Sequence, residues 1–287
     1  MRVAYDNSYD VDASPVATSE ATGYPLTNTQ DQRLTTRWRS TSTTAQSIVF
    51  QPEYGTQYNA AMAILGHNLT ADAVVTFELS QSDSWATPRY STTLTVIESA
   101  VILKFVSSIP NMDGYDLLME TGDALLMETG DAILLEEPVW AYARFEIDDP
   151  DNPDGYVTVG RFHFGQYVDI EPSSLHDFTV TKKRSDVVTY GKGRQKYANP
   201  GTGWREFDLS FPPTKGTTVS AIQTMFDAVG NHTSFIFANF DSLRVSDGAQ
   251  YEIVEPCYVS IDGDIRFRRS GKSGLRFEYG LTLVEDK

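Results

Sequence analysis

Apolar and polar residues alternate with a period of two in several segments, and this alternation constrains the fold more than any other feature. In AVVTFELSQS, residues 73–82, Val75, Phe77 and Leu79 fall on one side of an extended chain, because successive side chains of a strand point to opposite faces. The segment WREFDLSF, residues 204–211, alternates in the same way. The 15 Tyr and 15 Phe among 287 residues also favour strands. We therefore predict a mainly β protein.

One segment departs from this pattern and predicts an α-helix over about residues 217–229. In TTVSAIQTMFDAVGNH the apolar residues recur at helical spacing. Thr217 or Thr218 can cap the start of this helix. Gly230 can close it, because helices commonly end at a glycine.

The net charge of −16 lies entirely in the first part of the chain. Residues 1–170 contain 8 Lys or Arg and 24 Asp or Glu, whereas residues 171–287 contain 15 of each. This asymmetry predicts two domains with these bounds and a boundary near EPSS, residues 171–174. Because excess negative charge repels phosphate, we expect no nucleic-acid binding by the first domain.

An acidic segment between Asp116 and Glu137, DLLMETGDALLMETGDAILLEE, repeats itself with a step of eight residues. Each unit is typical of a strand, ALLME, and a turn, TGD, in which Gly122 and Gly130 allow a positive φ. Three strands and two turns would form a small meander, and we predict a protruding β-ribbon over about residues 111–137. Its acidic residues are Asp116, Glu120, Asp123, Glu128, Asp131, Glu136 and Glu137.

A row of carboxylates can also bind calcium, which takes about six to eight oxygen ligands. Calcium-binding repeats of the β-helix type have about nine residues and several glycines per unit. The unit found here has eight residues and one glycine. We therefore predict a solvated acidic ribbon without a metal ion. Its strand edges favour pairing with another chain, while its charge opposes random aggregation.

The segment KKRSDVVTYGKGRQK, residues 182–196, is basic and contains one tyrosine, Tyr190. Its cations are Lys182, Lys183, Arg184, Lys192, Arg194 and Lys196. Three interpretations are open: contact with nucleic acid, a solvent-facing hairpin, or docking on an acidic surface of a neighbouring copy. The docking interpretation agrees best with the charge distribution, so these six residues are our predicted assembly interface.

The sequence contains no pattern typical of a catalytic, cofactor or metal site. The single cysteine, Cys257, excludes an intrachain disulfide and a zinc cluster. The segment from His163 to Asp177 holds two histidines and three acids, which would point to opposite faces of strands. SGKSG at residues 270–274 lacks the first glycine of a phosphate loop. We predict no enzyme, metal or cofactor, although a carboxylate pair of the glycosidase type stays open.

The residues preceding position 170 carry a family resemblance. The segments YPLTNTQDQRLTTRWRS, IVF, AILGHNLTADAVVTFELSQSDSW, AYARFEIDD and VTVGRFHFG occur in that order over about residues 15–168. Together they resemble the discoidin-like (F5/8 type C, galactose-binding-like) domain, which implies a β-sandwich of the jelly-roll type. The predicted fold is thus this sandwich with its ribbon insertion, followed by a β-rich domain with one helix. No sugar-binding residue of the family is carried over.

The same segments look like the version of this domain found in tailed-bacteriophage structural proteins. In the second part, TYGKGRQKYANPG, WREFDLSF and SFIFANFD look like a C-terminal domain of phage minor tail proteins. The resemblance implies a distal tail or tail-tip subunit that forms a homo-oligomeric ring. The implied partners are other copies of the chain, the tail tube and the tail-tip hub, and the implied location is the virion after synthesis in the host cytoplasm.

Two rival functions are kept beside this structural one. The first is an adhesin that binds a host-surface glycan, with Tyr24, Trp85 or Tyr115 as exposed aromatic anchors. The second is a glycan hydrolase with a discoidin-like accessory domain. The start MRVAYDNSYD has no apolar signal core, and no apolar run approaches the ~18 residues of a membrane span, so we expect neither secretion nor membrane insertion.

Overall fold

The computed structural model describes residues 1–12, 14–52, 59–96, 101–106, 109, 115–116, 134–135, 140–170, 177–190, 196–199, 201–246, 249–263, 266–270 and 276–286. The strands of the first part are β1 (Arg2–Ala4), β2 (Val16–Ala17), β3 (Trp38–Arg39), β4 (Gln46–Phe50), β5 (Ala60–Leu65), β6 (Val74–Ser80), β7 (Tyr90–Leu94), β8 (Val101–Val106), β9 (Tyr115–Asp116), β10 (Leu134–Leu135), β11 (Tyr142–Asp148), β12 (Thr158–Val159) and β13 (Arg161–Asp169). The second part contains β14 (Asp177–Arg184), β15 (Val187–Tyr190), β16 (Lys196–Asn199), β17 (Gly203–Lys215), α1 (Gly216–Val229), β18 (Phe235–Ser246), β19 (Ala249–Ile261), β20 (Arg266–Ser270) and β21 (Arg276–Glu285). Short 3-10 turns span Ser8–Val11 and Leu26–Gln30. The protein is mainly β, as predicted.

The first part of the chain is a β-sandwich. One layer is an antiparallel five-stranded sheet in the order β2-β4-β11-β6-β7, and the other layer consists of β13, β5 and β8. The predicted inner face of β6 is confirmed, because Val75, Phe77 and Leu79 are fully buried. The two layers meet through aromatic side chains: the ring centroids of Phe77 and Phe164 are 4.8 Å apart. Interdigitation of the two inner faces is what fills the core of such a fold.

Trp38 anchors the polar loops to this core. Its side chain is fully buried, and its indole Nε1 donates a hydrogen bond to the carbonyl of Ser19 at 3.1 Å. A buried indole N–H needs such a partner, because an unpaired buried donor is costly. The loops before and after Ser19 are therefore held against the sandwich.

One sheet continues from the sandwich into the second part of the chain. Its strand order is β14-β17-β21-β19-β18-β1-β13-β5-β8, with β20 paired to β21. β1 is paired on both edges, so that Val3 lies opposite Val168 of β13 and opposite Phe237 of β18. The first strand of the chain thus joins two parts that the charge distribution separates. The predicted boundary at residues 171–174 lies outside the described residues.

The second part packs its helix on this sheet. The predicted helix over 217–229 is present as α1, and Ile222, Met225 and Val229 are buried in a core shared with β17, β18, β19 and β21. Gly230 adopts a φ of 55°, and its N–H donates to the carbonyl of Phe226 at 2.8 Å. The prediction that Gly230 closes the helix is confirmed. The helix begins at Gly216, so Thr217 and Thr218 lie inside its first turn and not at the cap.

The acidic ribbon begins and ends as an antiparallel pair. Asp116 of β9 lies opposite Leu134 of β10. The prediction of a three-stranded meander is wrong at this point, because the first and third strands of a meander run parallel and are separated by the second. The other predicted ribbon acids lie outside the described residues: Glu120, Asp123, Glu128, Asp131, Glu136 and Glu137.

Candidate functional site

The strand register defines two ends of the sandwich. Val74 of β6 lies opposite Asp148 of β11, and Ser80 lies opposite Tyr142. We call the end that carries residues 66–73 and 149–157 the loop end. We call the opposite end the ribbon end, because residues 81–89 lie there and the insertion between β8 and β11 starts and finishes there.

Three side chains form a stack at the loop end. The guanidinium carbon of Arg39 lies 4.2 Å from the ring centroid of Tyr24 and 4.1 Å from that of Tyr156. Tyr24 is 38% exposed, whereas Arg39 and Tyr156 are half-buried. Cation–π contacts of this kind stabilise an arginine on aromatic faces. We call this group the Tyr24–Arg39–Tyr156 cluster.

Backbone pairing places the three members of the cluster together. Arg39 donates its N–H to the carbonyl of Tyr24 at 3.3 Å and accepts from the N–H of Ala21 at 2.8 Å. On its other side, Arg39 of β3 pairs with Thr158 of β12, two residues after Tyr156. Gly23, with a φ of 83°, allows the turn that brings Tyr24 back over β3. The cluster is therefore a product of chain segments that are far apart in sequence.

Asn68 fixes the neighbouring loop. Its Nδ2 donates to Oδ2 of Asp154 at 2.8 Å and to the carbonyl of Tyr156 at 3.0 Å. Its Oδ1 accepts from the N–H of Thr158 at 2.7 Å. The exposed carboxylate of Asp154 is thus linked through Asn68 to the backbone of Tyr156 and adds an acceptor to the loop end. The side-chain amide of Asn68 is therefore fully used for tertiary hydrogen bonds.

A second aromatic–arginine contact lies at the ribbon end. The guanidinium carbon of Arg144 lies 4.5 Å from the ring of Trp85. Arg144 Nε donates to Glu78 at 2.9 Å, and its Nη2 lies 3.0 Å from a carboxylate oxygen of Glu146. Next to Trp85, a cavity of about 550 Å³ is lined by Ser80, Gln81, Ser82, Ser84, Thr87, Pro88 and Arg89.

The predicted aromatic anchors do not form one surface. Tyr24 lies at the loop end, whereas Trp85 lies at the ribbon end. Tyr115 belongs to β9, at the base of the ribbon, and its side chain lies outside the described part of the structure. Sequence analysis missed Arg39 and Tyr156, because neither shows a periodicity or spacing that distinguishes it from other surface residues.

A cleft of about 830 Å³ lies between the two parts of the chain, and we call it the junction cleft. Leu34, Arg37, Gly66 and Val101 line it from the first part. The lining from the second part includes the predicted interface residues Lys182, Lys183 and Arg184, together with Trp204, Arg205, Glu255, Cys257, Tyr258, Glu285 and Asp286.

The six predicted interface cations are therefore distributed as follows. Lys182, Lys183 and Arg184 end β14, and all three are exposed. Lys196 begins β16, which pairs with β15, and its side chain is outside the described part. Lys192 and Arg194 lie outside the described residues. Their role as an assembly interface stays a prediction.

The histidine-rich stretch does not come together as a site. His163 is 3% exposed, and burial lowers the pKa of its imidazole to about 3. Asp169, on the same strand, forms an ion pair with Arg2 at 2.9 Å. Among the described residues, no group of three or more His, Cys, Asp or Glu side chains could hold a metal ion. Within the same residues, no helix has the length and hydrophobicity needed to cross a membrane.

No protein-family model and no curated protein matches the sequence. Among solved structures, the chain is similar to the lectin domain of lectinolysin complexed with Lewis B antigen, at 7% identity and a TM-score of 0.35, covering 55% of this chain and 96% of that one. It is similar to a Streptococcus pneumoniae fucose binding module at 6% identity and a TM-score of 0.35, covering 57% and 99%. A family 32 CBM from C. perfringens NanJ in complex with galactose shows 14% identity and a TM-score of 0.33, covering 58% and 100%. Identities and TM-scores this low transfer no ligand to this chain.

Proposed function

We propose that the loop end of the sandwich binds a glycan, with the Tyr24–Arg39–Tyr156 cluster as the contact surface. The observation that supports this proposal is the guanidinium of Arg39 held between two tyrosine rings, at 4.2 and 4.1 Å from their centroids. One of these rings, that of Tyr24, is 38% exposed. Since three separate chain segments meet there, the arrangement is preorganised before any ligand binds.

The chemistry of the cluster matches that of a sugar ring. A sugar presents an apolar face of C–H groups and a rim of hydroxyl groups. An exposed tyrosine supplies flat apolar area at a small cost in side-chain entropy. A guanidinium supplies a planar set of N–H donors, and the carboxylate of Asp154 supplies acceptors for hydroxyl groups. Ligand sites generally combine apolar surface with a few placed polar groups in this way.

The availability of donors favours Arg39 over Arg144. Both guanidinium groups stack on aromatic rings, but Arg144 donates to Glu78 and is paired with Glu146. Among the described residues, no carboxylate forms an ion pair with Arg39. We therefore assign the terminal Nη groups of Arg39 to ligand hydroxyls, since its Nε is buried, and assign Arg144 to the internal stability of the ribbon end.

The test is binding of the full chain to a glycan array, followed by isothermal titration with the strongest ligand. Galactose and fucose belong among the probes, because compared structures bind these sugars. Tyr24→Ala is expected to weaken binding about tenfold, or roughly 1.4 kcal/mol. Arg39→Lys keeps the charge but loses the planar donor set, so a similar loss is expected.

Trp85→Ala is the matched control, because it removes an aromatic ring from the opposite end of the sandwich. We expect unchanged affinity for this variant. Absence of any glycan binding, or an equal loss of affinity in Trp85→Ala, would reject the loop end as the binding surface.

We infer as a second candidate that the chain is a subunit of a larger assembly, in line with the resemblance to phage tail-tip proteins. The observation that favours it is β1, which is paired with both β13 and β18 and so makes one sheet of the two parts. A continuous sheet transmits force between parts better than a flexible linker would. Light scattering at low and at moderate salt tests it: a discrete ring supports the candidate, and a monomer at all concentrations rejects self-assembly.

A further inference from the structure

The inner face of the β14–β17 pair carries three cations in a small area. Lys182 lies directly opposite Arg205, and Arg184 lies opposite Gly203. Because side chains two apart on a strand share a face, Lys182, Arg184 and Arg205 all point to the same side. Like charges placed opposite each other across a strand pair destabilise the pair. Glu285 compensates Arg205 at 2.8 Å, whereas Lys182 has no carboxylate partner among the described residues, so a further anion would reduce the remaining repulsion.

These cations line the junction cleft, whose other wall adds one more. Arg37 is exposed on the first part and donates its Nε to the carbonyl of Leu34 at 3.1 Å. The floor of the cleft includes the buried residues Val101 and Cys257. The cleft also contains the carboxylates of Glu255, Glu285 and Asp286, so its five cations exceed its anions by two. A concave surface with an excess of one charge attracts ligands of the opposite charge.

Not all of the charge in the cleft is neutralised internally. Arg205 pairs with Glu285 at 2.8 Å, and Arg184 pairs with Asp186 at 3.2 Å. Among the described residues, Lys182 and Arg37 form no ion pair with a carboxylate. Two cations therefore remain for an external anion, and Arg184, whose side chain is 60% exposed, can exchange its partner.

The sequence contains a matching polyanion. Seven carboxylates lie between Asp116 and Glu137, and no Lys or Arg occurs between Lys104 and Arg144. The ribbon leaves the sandwich after Val106 and returns before Trp140, which is the ribbon end. The junction cleft opens at the other end, beside Gly66 and Val101, where Val101 pairs with Leu65. The two complementary surfaces thus start from opposite ends of one sandwich.

We propose that the acidic repeat of one copy, residues 116–137, docks in the junction cleft of a second copy. The contact is head-to-tail, a type that produces rings when the rotation closes and filaments when it does not. The proposal deepens the assembly candidate by naming its two surfaces, and it is independent of glycan binding. A competing explanation is that lysines at the end of an edge strand only prevent β aggregation.

The experiment titrates a fluorescein-labelled peptide with the sequence DLLMETGDALLMETGDAILLEE into the full chain and follows anisotropy at low and at moderate salt. We expect saturable binding that weakens at least tenfold as the salt concentration rises, because the contact is ionic and solvent-accessible. Lys182→Glu is expected to weaken binding about tenfold. The control is Lys104→Glu, which makes the same charge change on a side chain that does not line the junction cleft and donates to the carbonyl of Thr93 at 2.9 Å. Little change is expected.

Two further probes give the outcomes that overturn the proposal. The same peptide with all its Asp and Glu changed to Asn and Gln is expected not to bind, and its binding would exclude an ionic contact. An unrelated peptide with seven carboxylates that binds equally well would reject the repeat as the specific occupant. Equal peptide affinity of the wild type and of Lys182→Glu would show that the peptide does not bind in the junction cleft. A discrete oligomer that does not bind the peptide would reject this inference and leave the assembly candidate standing. Peptide binding by a chain that light scattering finds monomeric at all concentrations would reject docking between copies.

Discussion

Gly165 of β13 lies against the main chain of Asp6: a Cβ atom placed on Gly165 would be 1.5 Å from the carbonyl oxygen of Asp6. No real side chain tolerates such a distance, and the atom in the way belongs to the backbone. This contact holds the segment after β1 against the sandwich. Beside it, Nδ2 of Asn7 donates to the carbonyl of Phe162, and its Oδ1 accepts from the N–H of Phe164.

Gly165→Ala is therefore expected to destabilise the protein by about 3 kcal/mol, because either β13 or the segment after β1 must move. Urea unfolding followed by circular dichroism measures the change. Gly280→Ala is the control, since a Cβ there meets the carbonyl of Leu209 at an ordinary 3.6 Å. A loss of stability in Gly280→Ala as large as in Gly165→Ala would contradict this account.

Val3 tests the coupling of the two parts through β1. It is 1% exposed and belongs to the core of the second part, while its strand also pairs with β13. Val3→Asn would bury an amide without partners and is expected to cost about 2–3 kcal/mol. In calorimetry we expect one transition for the wild type and two for Val3→Asn, because the shared strand is weakened.

The control for Val3 is Val11→Asn. Val11 is 59% exposed, so its substitution is expected to change stability by less than about 0.5 kcal/mol. Two separate transitions in the wild type would show that β1 does not couple the parts.

Because the imidazole of His163 is buried, we expect the protein to lose stability in acid. Burial lowers the pKa of its imidazole from 6.5 to about 3, and its Nε2 has no hydrogen-bond partner among the described residues. Below pH 6.5, His163 is protonated in the unfolded chain but stays neutral in the folded chain, so acid favours unfolding. Its contribution to stability is complete above pH 6.5 and decreases as the pH falls towards 3, by at most about 1.4 kcal/mol per unit.

The measurement is the urea midpoint of the wild type and of His163→Gln at several pH values between 7 and 4. The difference between the two proteins is expected to change with pH, because carboxylates that titrate in the same range contribute equally to both. A difference that stays constant would mean that His163 is not the responsible group.

Because Cys257 is buried, we expect its thiol to be labelled slowly in the folded chain. The thiol is 2% exposed, and burial raises its pKa to about 12. Since the thiolate is the reactive form, a disulfide reagent at pH 8 is expected to label the native protein far more slowly than the urea-unfolded protein. The chain has one cysteine, so the absorbance of the released thiol reports this position alone. Rapid stoichiometric labelling under native conditions would show that the wall of the junction cleft opens.

Local patterns in the sequence determined the elements of this protein. Alternation predicted which face of β6 is buried, helical spacing predicted α1, and Gly230 marked its end, because these features depend on side chains and dihedral angles within a few residues. The sequence also determined that the acidic and the basic charges lie in separate segments. What it predicted wrongly was the ribbon meander, since an eight-residue repeat defines strand length but not which strands pair.

Tertiary structure alone decided the rest. β1 inserts between β13 and β18, which no local pattern of its three residues reveals, because strand pairing over such a distance depends on the two edges that accept it. Tertiary structure also decides the role of Arg39, which no sequence pattern distinguishes from other polar residues. Its guanidinium stacks on aromatic rings only because the fold brings Tyr24 and Tyr156 against it. The junction cleft exists because a sheet continues past the sandwich. Long-range contacts of this kind are set by packing across the whole chain, and a one-dimensional pattern does not contain them.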